Sequence, residues 1–161
     1  MTQSKRAAPI EKLVSGGQTG VDLAALDVAL ELGILCGGWC PKGRWSEAGT
    51  IAATYPLKET PSEDVAQRTE WNARDSDGTL VILEGEPVGG TLLTVEMAAL
   101  YKKPYLVVDV LRQEGARAVV RAWIAKNNIR VLNVAGPRES TTPGINQKTK
   151  ALLRRVLGTE A

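Results

Sequence analysis

Lys12-Leu13-Val14-Ser15-Gly16-Gly17-Gln18-Thr19-Gly20-Val21-Asp22 decides how this chain folds. Lys12 to Ser15 reads as a short strand that runs straight into glycines. From Val21 the period changes. Val21, Ala24, Ala25, Val28, Ala29 and Leu32 share one helical face, and Gly33 ends it. Strand, glycine loop and helix in that order begin a βα unit. Glycine permits positive φ and lets a ligand approach the backbone closely. The helix turns its unpaired N–H groups toward the loop, with roughly half a positive charge from its dipole. Together these make an anion site. The loop is neither Gly-x-Gly-x-x-Gly nor a Walker loop ending in Gly-Lys-Ser/Thr, so neither dinucleotide binding nor ATP hydrolysis follows from it. Gly16, Gly17, Gln18, Thr19 and Gly20 are candidate ligand contacts, with a plain tight turn as the competing explanation.

Outward from this stretch the same alternation repeats. A second strand is predicted at Ile34-Leu35-Cys36, and further strands over 79–83, 105–110 and 130–134. Residues 41–60 read as loop, with Tyr55-Pro56-Leu57 extended. A helix is predicted to begin at Pro61-Ser62, capped by Ser62 with Glu63 and Asp64 in its first turn, and to run to about Arg74. Other helices are expected over 91–101, around Ala116, Val119, Val120 and Trp123, and along Ile145, Thr149, Leu152, Leu153 and Val156. Alternating strands and helices with right-handed crossovers give an α/β, Rossmann-like three-layer sandwich: a mostly parallel sheet with helices on both faces. The expected organisation is a flexible tail over 1–11 and one ligand-binding domain over 12–161. Ligands of such sheets bind at the carboxyl ends of the strands.

Composition narrows the chemistry. The 161 residues suit one domain, and none is histidine. That removes the commonest general base and the Ser-His-Asp triad, and with them most zinc sites. No metal-ligating set is expected. The 20 basic and 18 acidic residues leave a net charge of +2, too small to argue for nucleic acid. Cys36 and Cys40 are not spaced as Cys-x-x-Cys and read as reduced thiols. The first eleven residues lack a signal-peptide pattern, and no apolar run approaches the ~20 residues of a membrane span. A cytoplasmic protein is expected.

Each strand end offers candidates. After the second strand, Lys42 and Arg44 suit phosphate, and Trp39 or Trp45 suits a flat heterocycle. A surface loop with solvated cations is the bland alternative. Arg68 and Asn72 lie four apart on one helical face. In Asp75-Ser76-Asp77 a turn is favoured over a metal or base role, and Asp77 remains a ligand candidate. A second glycine junction carries Gly89, Gly90 and Thr91, with a further hydroxyl at Thr94. A third, late loop carries Arg138 and Ser140. Lys148, Lys150, Arg154 and Arg155 read as a solvated helix face.

Taken together, Ser15 to Asp22, Gly37-Gly38-Trp39-Cys40-Pro41-Lys42-Gly43-Arg44, Arg68-Thr69-Glu70-Trp71-Asn72, Asp75-Ser76-Asp77-Gly78-Thr79, Gly89-Gly90-Thr91 and Ala135 to Ser140 resemble the molybdenum cofactor carrier family. That family is similar to the circularly permuted YpsA branch of a Rossmann-like superfamily that also holds DprA and the Lonely Guy phosphoribohydrolases. The resemblance covers nearly the whole chain from Lys12. It implies a homo-oligomer (dimer or tetramer) with an anionic ligand at the glycine loops. It further implies molybdenum cofactor as cargo and molybdenum enzymes as recipients. Two alternatives stand beside it: a nucleotide-processing enzyme and a non-catalytic nucleotide sensor. The phosphoribohydrolases carry Gly-Gly-x-Gly-Thr-x-x-Glu with a catalytic Glu. Aligning Gly89-Gly90 with its start puts Glu96 on the acid but Leu92-Leu93 in place of Gly-Thr. Glu96 is a catalytic candidate only under the enzyme alternative.

Overall fold

The computed structural model describes residues 8–159. Its elements, in order, are β1 (Lys12–Val14), α1 (Val21–Leu32), β2 (Leu35–Gly37), β3 (Trp39–Cys40), β4 (Trp45–Ser46), β5 (Gly49–Thr50), β6 (Lys58–Glu59), α2 (Val65–Arg74), β7 (Gly78–Leu83), α3 (Gly89–Leu100), β8 (Tyr105–Asp109), α4 (Ala116–Lys126), β9 (Val131–Ala135) and α5 (Ile145–Leu157).

Five strands form one parallel sheet in the order β2-β1-β9-β7-β8. The Rossmann-like sandwich read from the sequence is the observed fold. β7 is buried at every position, as its unbroken apolar run requires of a strand covered on both faces. Helices α1, α4 and α5 pack together on one face, and α2 packs against α3 on the other. The main core lies under the first group, where Leu26 and Val28 meet Ile82, Leu132, Leu152 and Leu153. α1 stops where Gly33 adopts left-handed φ 74° and returns its N–H to Ala29 and Leu30 carbonyls.

Three expectations shift. Of the tail predicted over 1–11, residues 1–7 lie outside the described residues. Ile10 is buried and Glu11 N donates to Arg130 O at 2.9 Å, so packed chain begins ahead of Lys12. α2 starts at Val65, later than Pro61-Ser62, because Asp64 Oδ1 accepts from Ala66 N while Ser62 Oγ accepts from Asp64 N. The stretch 41–60 is not plain loop. It holds the β4–β5 hairpin and β6, which pairs in parallel with β3. Strands of two residues show no alternation for a sequence reading to catch.

Among the described residues, no helix is long and apolar enough to cross a membrane.

Candidate functional site

The middle strands β1, β9 and β7 end side by side, and the loops that leave them enclose a cavity of about 360 Å³. This is within the ~300–1,000 Å³ usual for small-molecule sites, at the carboxyl end of a parallel sheet as its topology requires.

The floor is built by the loop after β1. Ser15 Oγ donates to Val134 O at 2.8 Å and ties that loop to β9. Gly16 lets Arg68 reach in from α2: Arg68 Nη1 donates to Gly16 O at 2.9 Å and lies 3.6 Å from Asp22 Oδ2. A Cβ on Gly16 would come 2.2 Å from that nitrogen. Asp22, in the first turn of α1, is buried and also accepts from Gln18 N at 3.2 Å. Burial pushes its carboxyl up to about 6, against the attraction of the Arg68 guanidinium. The floor thus holds a cation whose counter-charge titrates near neutrality.

The second wall is the start of α3. Val88 is extended and Gly89 turns at φ 55°, so the positive, first turn of the helix stands at the cavity with Thr91 and Thr94. The third wall is the loop after β9, with Ala135, Gly136, Pro137, Arg138 and Thr141. Trp45 joins the lining from the β4–β5 hairpin and is 49% exposed, which leaves a flat apolar face in reach of a ligand. Asn72 lines the cavity too. Its amide accepts from Trp39 N at 2.8 Å and donates to Trp39 O at 2.9 Å, so it pairs like a missing strand and fixes β3.

The sequence model of the circularly permutated YpsA SLOG family matches residues 13–157. The chain belongs to this family. Among solved structures, the chain of this YpsA-type protein is similar to a "Putative molybdenum carrier protein" from Syntrophus aciditrophicus SB. The two share 46% identity at a TM-score of 0.92, over 95% of this chain and 98% of that one. The resemblance stated from the motifs is the family found. Comparison with curated proteins gives no match.

In this YpsA-type domain, the cavity gathers Gly16, Gln18, Arg68, Asn72, Gly89, Gly90, Thr91 and Arg138 from among the predicted site residues. It does not gather the others. Gly17 has φ +82°, and a Cβ there would meet Leu57 Cδ1 at 2.6 Å, so the turn itself requires glycine. Gly20 has φ +81° and abuts Pro137 O, where the first and third loops touch. Thr19 and Ser140 both donate to Glu47 beside the cavity. Lys42 is exposed on the loop before β4. The Arg44 guanidinium serves the chain itself, donating to the carbonyls of Ile51, Ala52, Tyr55 and Leu57 at 2.7–3.2 Å. Asp77 stands at the opposite, amino end of the sheet, where Oδ2 accepts from Arg130 N at 3.0 Å and Val131 N at 2.8 Å. Glu96 is exposed on α3 and is not among the lining residues. Lys148 and Lys150 pair with Glu84 and Asp27.

Sequence reasoning passed over Asp22, Asn133 and Glu47. A first-turn acid is ordinarily an exposed complement to the helix dipole. Asp22 is buried only because the glycine loop and Arg68 fold over it. Glu47 sits in a two-residue turn with no pattern of its own.

Proposed function

We propose that the protein is a carrier that holds molybdenum cofactor, or a closely related phosphorylated heterocycle, in this cavity without turning it over. One observation carries the reading: a single cavity sets Arg68, Arg138 and the opening turn of α3 around the flat face of Trp45. Molybdenum cofactor is a planar pterin with a phosphate at one end and an oxo-metal group at the other. It needs polar anchors at two places and a flat wall between them. The similarity to a structure named as a molybdenum carrier supports the same cargo.

Gly90 adds to this. Its φ is ordinary and a Cβ there would meet nothing within 4 Å, so the fold has no need of glycine at that position. Close approach of a ligand is a reason for it. The position of Glu96 away from the lining favours holding over hydrolysis. Nucleoside monophosphates need nearly the same parts, which makes a non-catalytic nucleotide sensor the second reading.

The cargo would pass to molybdenum enzymes in the cytoplasm, where Cys36 and Cys40 remain free thiols. A second copy of this chain covers the outer face of α3 and β8. α3 and the edge strand β8 leave apolar side chains outward: Leu92, Leu100, Tyr105 and Val107 are each at least 40% exposed in the single chain. Sedimentation should show a dimer or tetramer that Leu100→Glu dissociates.

The function is tested by titrating the full chain with molybdenum cofactor and with nucleoside monophosphates while following free base. Saturable cofactor binding without base release is expected. Base release that disappears in Glu96→Gln would overturn the carrier. Tight nucleotide binding with no cofactor affinity would replace it by the sensor.

A further inference from the structure

The β4–β5 hairpin is a poor candidate for a stable structure by itself. It has two residues per strand, pairs only Trp45 with Thr50 and Ser46 with Gly49, and belongs to no larger sheet. Its turn is closed by Ser46 alone, whose Oγ donates to Gly49 O at 2.9 Å and accepts from Ala48 N at 3.2 Å. Yet it carries Trp45 to the cavity. Its base is fixed, because Ile51 N donates to Arg44 O at 2.8 Å and the Arg44 guanidinium donates to the Ile51 and Ala52 carbonyls, so what remains to be held is the tip.

That holding falls on Glu47, at the tip. Its backbone N–H donates to Gln18 Oε1 at 3.0 Å. One carboxylate oxygen accepts from Thr19 Oγ1 and from Ser140 N at 3.2 Å. The other accepts from Ser140 Oγ at 2.5 Å, with Arg138 Nε 3.8 Å away. Thr19 in turn accepts from Glu139 N at 3.1 Å. One side chain therefore clasps the tip of the hairpin to two of the three loops that build the cavity. We infer that Glu47 is a positioning residue: it latches the hairpin so that Trp45 stands as a fixed planar wall, and thereby selects ligands with a flat ring. This rests on the cavity being the ligand site proposed above.

The chemistry suits a latch. The donors around Glu47 are two hydroxyls, one backbone N–H and one guanidinium, a set that an ionised carboxylate fills and an apolar residue cannot. The hydroxyls of Ser140 and Thr19 hold its carboxyl below the usual range, so it stays ionised at neutral pH. Fixing an aromatic wall before the ligand arrives removes the ordering cost that a mobile one would impose on binding. Loss of the latch should therefore weaken binding of the ring of a ligand without weakening binding of its phosphate end.

The test has two arms, both on the full chain. In the first, wild type, Trp45→Ala, Glu47→Ala, Glu47→Gln and the Trp45→Ala/Glu47→Ala double variant are titrated with molybdenum cofactor and, separately, with inorganic phosphate. Loss of an aromatic stack commonly costs about tenfold or more in affinity. Both alanine variants should lose cofactor affinity about tenfold, the double variant no more than either, and phosphate binding should not weaken in any of them, since removing Glu47 only frees Arg138. Glu47→Gln should fall between, since it keeps the shape and one acceptor. Equal losses for phosphate and cofactor, unchanged cofactor affinity, or additive losses would each overturn the latch. In the second arm, hydrogen exchange is followed without ligand. Glu47→Ala should speed amide exchange over residues 45–50 at least tenfold and leave β7 unchanged. Unchanged exchange there would overturn the latch whatever binds. If faster exchange is accompanied by no cofactor binding in wild type, the latch stands and the carrier reading fails.

Discussion

Replacing Asp22 by asparagine should change how the stability of this domain depends on pH. The folded carboxyl is pushed up to about 6 by burial, partly offset by Arg68 and by the Gln18 N–H. In the unfolded chain an aspartate titrates near ~3.9. The folded state therefore binds this proton more tightly than the unfolded state. The stability so gained is complete below the unfolded value and is lost as pH rises through about 6. A gap of about two pH units at ~1.4 kcal/mol each gives ~3 kcal/mol between pH 3 and 7.5. Asparagine does not titrate, so the variant escapes this loss. Urea unfolding of both proteins across that range reads it directly. The stability of Asp22→Asn relative to wild type should rise by ~3 kcal/mol toward high pH, a relative midpoint shift of about 1–3 M urea. The offset at any one pH also contains the lost contacts to Arg68 and Gln18, so the change with pH is the diagnostic quantity. Parallel pH profiles would refute the raised carboxyl. A relative loss toward high pH would show that Arg68 outweighs burial.

The same residue gates charge in the cavity: sulfate, whose charge is constant over this range, should bind several-fold tighter at pH 5 than at 7.5, where ionised Asp22 offsets Arg68, and Asp22→Asn should abolish the difference. Calorimetric titration checks this, and an unchanged pH dependence in the variant would place the effect elsewhere. Gly90→Ala should leave stability unchanged or raise it by ~0.5–1 kcal/mol, because the added Cβ meets nothing and helix propensity improves. It should nonetheless weaken cofactor binding, and full affinity would show that the ligand does not use this wall. Gly17→Val should destabilise by ~2–5 kcal/mol, from left-handed strain at φ +82° and from overlap with Leu57 and Ile51. A thermal melt matching wild type would refute the assignment of Gly17 to the turn.

Much of the site was legible because it depends on local order. A strand that runs into glycines and then into helical periodicity specifies a βα unit wherever it occurs, and four such alternations suffice for the parallel sheet. Arg68 and Asn72 could be paired in advance because four residues is one helical turn. The misplaced candidates share a different origin. Arg44 and Asp77 are polar residues near strand ends, but which end, and which backbone carbonyls or N–H groups surround them, depends on segments that composition does not relate.

The sequence by itself determined the α/β fold, the family, and the three loops that meet at the strand ends, since each follows from short-range periodicity and motif. Only the tertiary structure decided what each glycine is for. Gly16, Gly17 and Gly20 are filled around by Arg68, Leu57 and Pro137, whereas Gly89 and Gly90 face open space. It also decided that Asp22 is a buried acid beneath Arg68, and that Glu47 joins the hairpin to loops near residues 19 and 140. A glycine is compatible with a tight turn or with a bare approach for a ligand. The neighbours that distinguish the two come from distant parts of the chain, and only folding brings them together.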